Sequence, residues 1–202
     1  MTYKKLPKIG GGSSHLPELT WVPTKACSPR YGMPKRKVWI HRWGVKYTTE
    51  TGEALSYKGV IRQFQNPDNE SSSHFVFPGS AVPNHCTQMV ARSMKSWTEK
   101  AYNRTGVSYE TADAIWLGHD PEGFCQLARM IAFELHNDGL PPTWVHIQPF
   151  DPRKGFCRHA DGGVPAGGHT QCPTTDLALW HQFVLRVQAE YRRGKFREVW
   201  GR

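Results

Sequence analysis

The stretch Asp120-Pro-Glu-Gly-Phe-Cys-Gln-Leu-Ala-Arg-Met-Ile-Ala-Phe-Glu-Leu-His-Asn-Asp-Gly139 carries the strongest periodic signal in the chain. Phe124, Leu127, Ala128, Ile131, Ala132 and Leu135 recur at three- and four-residue steps, which is one apolar stripe on a helix. Pro121 suits the first helical turn, where its missing N–H is not needed, and Gly139 suits the C-terminal stop. A second helix of the same kind follows Thr174-Thr-Asp176, with Leu177, Trp180, Val184, Val187 and Tyr191 on one face and Gly194 as its end. Upstream, Tyr57, Val60, Ile61 and Phe64 have helical spacing behind a Ser56 N-cap, with Asn66-Pro67 as a stop. Lys37–Trp43, His74–Phe77, Cys86–Val90 and Val107–Thr111 are β-branched and aromatic runs, predicted as strands. The order is strand, helix, several strands, helix, loop, helix, which predicts a single α/β domain with a mixed central β-sheet flanked by helices.

That domain is expected over residues 36–202. Residues 1–35 hold a Gly-Gly-Gly-Ser-Ser run and five prolines, and predict a flexible arm lying on the body or loosely tethered to it. The 202 residues suffice for one domain with a tail. With 38% apolar residues, wholesale disorder is excluded. A formal charge of +9 predicts a surface that attracts polyanions such as nucleic acid, anionic lipid or an anionic cell wall. No apolar run approaches the ~18 residues of a membrane span, and the basic N-terminus has no apolar stretch behind it, so neither insertion nor a signal peptide is expected. Five cysteines, an odd number, argue against a disulfide framework. No zinc-finger, RNA-recognition or helix-turn-helix signature accompanies the basicity, so nucleic acid is not an expected partner.

The chemistry concentrates in a glycine-rich loop over 155–173, which contains Cys157-Arg-His-Ala-Asp-Gly-Gly-Val-Pro-Ala-Gly-Gly-His-Thr-Gln-Cys-Pro173. Its glycines let the backbone fold back on itself, bringing two His and a Cys within reach of one point. Zinc takes His nitrogen and Cys sulfur, and a catalytic site keeps three protein ligands and an open position. The loop supplies two, and His41, at the end of an early strand, is a candidate for the third. The spacing is not that of a zinc finger and leaves the matter open.

Several separated fragments then appear in a telling order. Ile40-His41 ends a strand, Ser72-Ser-His-Phe-Val76 follows, Thr87-Gln-Met-Val90 precedes Trp97, and Asn103 precedes Val107-Ser-Tyr-Glu110. His159-Ala-Asp161 precedes Thr170-Gln-Cys-Pro173. This series resembles the zinc-dependent N-acetylmuramoyl-L-alanine amidase family, which includes phage endolysins and peptidoglycan recognition proteins. The resemblance runs from about Val38 to the last helix. It implies Zn²⁺ held by His41, His159 and Cys172, with His169 as an alternative second ligand. The alternative arises because the Gly-Gly-Val-Pro-Ala-Gly-Gly insertion lengthens the interval between His159 and Cys172. It implies Glu110 as the acid–base residue beside the reacting water and Thr170 as the donor to the scissile carbonyl. His74 matches a family His beside the cleft, without a ligand role. Trp97 and Asn103 are expected at the substrate, and Trp43, Tyr109 and Trp116 are further aromatic candidates for a groove.

The implied activity is cleavage of the amide between N-acetylmuramic acid and L-alanine in peptidoglycan. The implied setting is a phage endolysin, monomeric, kept in the host cytoplasm until released to the wall at lysis. Two other readings remain from the residues: a non-catalytic peptidoglycan-binding module, or a cysteine peptidase of the stem peptide using Cys172 or Cys157.

Overall fold

The structure, a computed structural model, describes residues 16–45, 56–146 and 153–194. Its centre is a six-stranded mixed sheet in the order β1-β5-β4-β7-β3-β8. The strands are β1 (Glu18–Trp21), β3 (Lys37–Arg42), β4 (Phe75–Phe77), β5 (His85–Gln88), β7 (Gly106–Thr111) and β8 (Gly155–Arg158). Strands β4, β7, β3 and β8 run parallel, β5 is antiparallel to β4, and β1 is parallel to β5. A two-stranded antiparallel pair joins β2 (Cys27–Pro29) to β6 (Met94–Ser96).

The helices start and stop where their capping residues stand. In α1 (Tyr57–Gln65) the Ser56 hydroxyl accepts from the Gly59 N–H at 3.2 Å. In α3 (Pro121–Asn137) the Asp120 carboxylate accepts from the Gly123 N–H at 2.8 Å, and Gly139 takes the positive φ that ends the turn. In α4 (Leu177–Arg193) Asp176 accepts from Ala178 and Leu179, and Gly194 closes the helix at φ +57°. A single-turn α2 (Asp113–Trp116) follows β7 directly.

Helices α3 and α4 pack on each other, and α3 packs on β3 and β8, covering one face of the sheet. Val38, Ile40, Val107, Tyr109 and Phe156 meet Leu127, Ile131, Trp180, Phe183 and Val187 there, all essentially inaccessible to water. Each such large side chain contributes about 1.5–3 kcal/mol by leaving water. Successive strand residues face opposite sides. Trp39 and Cys157 therefore lie on the other face, where they join Val145 and Ala166 in a small separate cluster.

Three readings of the sequence change. The stretch expected as an arm up to residue 35 is paired into the body from β1 onward, with Leu16 in the core; residues 1–15 lie outside the described residues. Gly155–Arg158, read as the start of a loop, is the sheet's edge strand β8, because Gly155 at φ +146° closes tightly on the Thr143 carbonyl. The strand starting at Lys37 ends at Arg42, and Trp43 opens a 3-10 turn.

Candidate metal centre and active site

The site forms at the C-terminal ends of the parallel strands, the usual location for function in such sheets. Register places it. Ile40 pairs with Arg158, so His41, next on β3, comes beside His159, the first residue past the end of β8; His41 itself pairs with Glu110 of β7. His159 and Asp161 share a 3-10 turn that the Asp161 carboxylate clasps. It accepts from the Arg158 backbone N–H at 2.9 Å, from the Arg158 guanidinium at 2.7 Å and from Trp144 Nε1 at 2.8 Å. The acidic residue of the His-x-Asp motif thus builds the turn that aims the His. Further on, the chain returns so that the Cys172 carbonyl accepts from the Ala160 N–H at 2.8 Å, and its sulfur accepts from the Arg42 N–H at 3.3 Å.

The result is a buried triangle of His41, His159 and Cys172, whose ligand atoms lie within 4.8 Å of one another. The two Nδ1 atoms are 2.9 Å apart. Behind His41, Nε2 stands 3.3 Å from Glu99 Oε1; behind His159, Nε2 stands 2.8 Å from the Ala166 carbonyl. A carbonyl only accepts, so His159 carries its proton on Nε2, and Glu99, when ionised, favours the same tautomer in His41. Two Nδ1 lone pairs then face each other beside a sulfur. Such a set suits a cation: soft and borderline donors, a size one ion spans at about 2.0–2.3 Å per bond, and a tetrahedral position left over. Burial, with Glu110 adding to it, pushes the Cys172 thiol well up, opposed by Arg42. A coordinated cation reverses that preference by deprotonating the thiol.

Glu110 is buried on the same side of the sheet as His41. Thr170 is exposed, two residues before Cys172. The His169 ring lies 4.5 Å, centroid to centroid, from that of His159, as a neighbour of the triangle rather than a member of it. Trp97 is 36% exposed, with Nε1 donating to Ser28 Oγ at 3.0 Å.

Other candidates lie elsewhere. His74 is fully buried: Nδ1 accepts from the Ser108 N–H at 3.2 Å and Nε2 faces Met94 O and Arg30 Nη2, so it does not line a cleft. Burial, followed by the Arg30 charge, pushes it down to about 3. Asn103 turns its carboxamide oxygen inward to the N–H groups of Thr98 and Glu99, at 3.0 and 2.6 Å. Trp43, Tyr109 and Trp116 are core residues. Cys157 is fully buried with its thiol against the Val38 carbonyl, out of reach of a substrate, and burial pushes it well up.

Glu99 was not expected from the sequence. It lies in a short polar stretch without periodicity, and the one local sign was Asn103 four residues on, a residue type that caps loops. Burial pushes its carboxyl up to about 8, opposed by Arg30 and by a hydrogen bond with Ser108.

The chain matches no protein-family profile and no curated protein sequence. Solved structures do match its fold. Staphylococcus aureus hydrolase AmiA in complex with its ligand superposes with a TM-score of 0.66 at 14% identity, over 92% of this chain and 89% of that one. The PlyG catalytic domain gives 0.61 at 14%, over 86% and 95%. The N-acetylmuramoyl-L-alanine amidase LysC from Clostridium intestinale gives 0.53 at 10%, over 82% and 97%. The chain has the α/β fold of amidase and endolysin catalytic domains, as the resemblance in its sequence implied. Among the described residues no helix is long and apolar enough to cross a membrane.

Proposed function

We propose that this protein is a zinc-dependent N-acetylmuramoyl-L-alanine amidase that cuts the amide between N-acetylmuramic acid and the L-alanine of the peptidoglycan stem peptide. The observation that carries the reading is the buried convergence of two imidazole Nδ1 atoms and one cysteine sulfur at the strand ends of an amidase-type fold. His41, His159 and Cys172 hold the ion. Zn²⁺ bound there would supply Lewis-acid polarisation of the scissile carbonyl and would lower the pKa of a water to about 7. Glu110 takes the proton of the attacking water and passes it to the leaving amine. The Thr170 hydroxyl, at the exposed rim, donates to the carbonyl oxygen as charge builds on it. Trp97 offers an aromatic face to the substrate.

The protein acts as an endolysin, monomeric, made in the host cytoplasm and released to the wall at lysis. Its +9 charge attaches it to the anionic wall, so binding to purified walls weakens as salt rises. The test of the reaction is digestion of purified peptidoglycan with and without a chelator, reading the new ends by mass. New L-alanine amino termini, lost on chelation and restored by Zn²⁺, are expected. New reducing sugars, or cleavage indifferent to chelation but stopped by a thiol alkylator, overturn the reading.

A further inference from the structure

Both imidazoles of the centre are held from behind, by segments that touch each other. Glu99 stands behind His41 and the Ala166 carbonyl behind His159, and the turn Lys100–Tyr102 packs on the turn Val164–Ala166. Glycine makes the second support possible. A Cβ on Gly162 would lie 2.4 Å from Ala166 Cβ and 2.9 Å from the Trp39 ring.

Glu99 is fully buried, and its Oε2 has no hydrogen-bond partner among the described residues. A buried carboxylate is unfavourable unless its surroundings are arranged for it. Here they offset that cost only in part. Asn103 fixes the Glu99 backbone, and the Ser108 hydroxyl links the Glu99 side chain to Ser96 at 2.9 Å, His74 at 3.1 Å and Thr98 at 3.2 Å. Arg30, buried and bonded to His74 at 2.9 Å, supplies the positive charge behind them. The whole chain of groups ends on one nitrogen, His41 Nε2.

We propose that Glu99 is the positioning residue of the metal centre: it takes the Nε2–H of His41, leaves the Nδ1 lone pair directed at the ion, and thereby sets the centre's metal affinity. The proposal rests on the reading of His41, His159 and Cys172 as ligands. A carboxylate behind a ligating imidazole fixes its tautomer and ring orientation and raises its basicity, and losing such a partner weakens metal binding by about 10–100-fold. Ser108 acts on Glu99 and not on the ion, so its hydroxyl matters less.

The test is Zn²⁺ competition between the metal-free protein and a chromophoric chelator, with visible spectra of the Co²⁺-loaded protein. It uses the wild type, E99Q, E99D, S108A and C172A, with circular dichroism of each metal-free form. E99Q is expected to bind Zn²⁺ about 10–100-fold more weakly, with shifted Co²⁺ bands, a retained sulfur-to-cobalt band and an unchanged metal-free spectrum. E99D, which keeps the carboxylate, is expected to recover part of the loss. Wild-type affinity in E99Q, or E99D no better than E99Q, overturns the inference alone. A wild type that binds no better than C172A overturns the metal centre itself. If E99Q does not fold, S108A carries the test: weaker Zn²⁺ binding supports the proposal and unchanged binding overturns it.

Discussion

On one face of the sheet Val38, Ile40, Tyr109 and Phe156 are sealed under α3 and α4; on the other, one residue along each strand, stand Trp39, His41, Ser108 and Glu110. The strands are shared, yet the two faces are built by different physics. The helix-covered face is held by non-directional apolar burial, in which many side chains each contribute a little. The other is held by directional bonds among few groups, each of which leaves a buried polar atom stranded if a partner goes. Stability should therefore reside mainly on the first face and activity on the second, and substitutions can test how cleanly the two separate.

The largest effect is expected from Cys172→Ala. It removes a ligand and with it several kcal/mol of charge stabilisation, so hydrolysis should fall by about 10³-fold or more. Zn²⁺ affinity should collapse in the same variant, while the melting temperature of the metal-free protein should hold. Retained hydrolysis would mean that the reaction does not use the metal centre. Glu110→Gln comes next: kcat should drop about 10²–10⁴-fold with Zn²⁺ affinity little changed. Loss of metal rather than of turnover would recast Glu110 as part of the binding site.

These two faces also differ in how legible they were. The apolar stripe of α3 could be read because helical periodicity is local, and so could the Ser56 cap, the Pro121 start and the Gly139 and Gly194 stops, whereas the caps at Asp120 and Asp176 emerged only from the structure. His41, His159 and Cys172 were found through motif order, and register explains their meeting: β3 and β8 are neighbours in space although the two His are 118 positions apart in the chain. Glu99 escaped because its role exists only across the fold, and a buried carboxylate looks in sequence like any exposed one. His74 misled for the complementary reason. The resemblance placed it beside a cleft, but Arg30, from just beyond β2, and Ser108, from β7, satisfy it in the interior. Short strands such as β2 and β6 carry too few residues for a period to show.

Leu127→Ala probes the helix-covered face. Leu127 is inaccessible and packed in the main core, so its truncation should cost about 2–5 kcal/mol in a denaturant titration. Zn²⁺ affinity measured well below the unfolding transition should not change. A parallel loss of metal would show that the sheet transmits core strain to its other face.

The buried His74 gives the polar face a pH signature. Its pKa lies near 3 in the folded protein against an ordinary value of 6.5. The unfolded chain therefore takes the proton first as pH falls. The stability from burying His74 neutral is fully present above about 6.5 and is lost progressively toward about 3, by at most about 1.4 kcal/mol per pH unit. Urea titrations of the metal-free protein between pH 7 and 4 should show a shallower dependence in H74Q than in the wild type. Equal slopes would mean that His74 is protonated in the folded state.

The smallest effect is expected where the two faces are joined by the chain itself. Helix α4 begins immediately after the loop that carries Cys172; Thr174 Oγ1 accepts from the Asp176 N–H, and the Thr174 carbonyl accepts from Arg158 at 3.3 Å. Asp176→Ala removes the cap bonds to Ala178 and Leu179 and should lower stability by about 1 kcal/mol. Arg158 and Asp161 hold the His159 turn without help from that cap, so Zn²⁺ affinity and turnover should stay at wild-type values. A drop in Zn²⁺ affinity in D176A would mean that the end of α4, rather than the Asp161 clasp, sets where Cys172 returns to the centre.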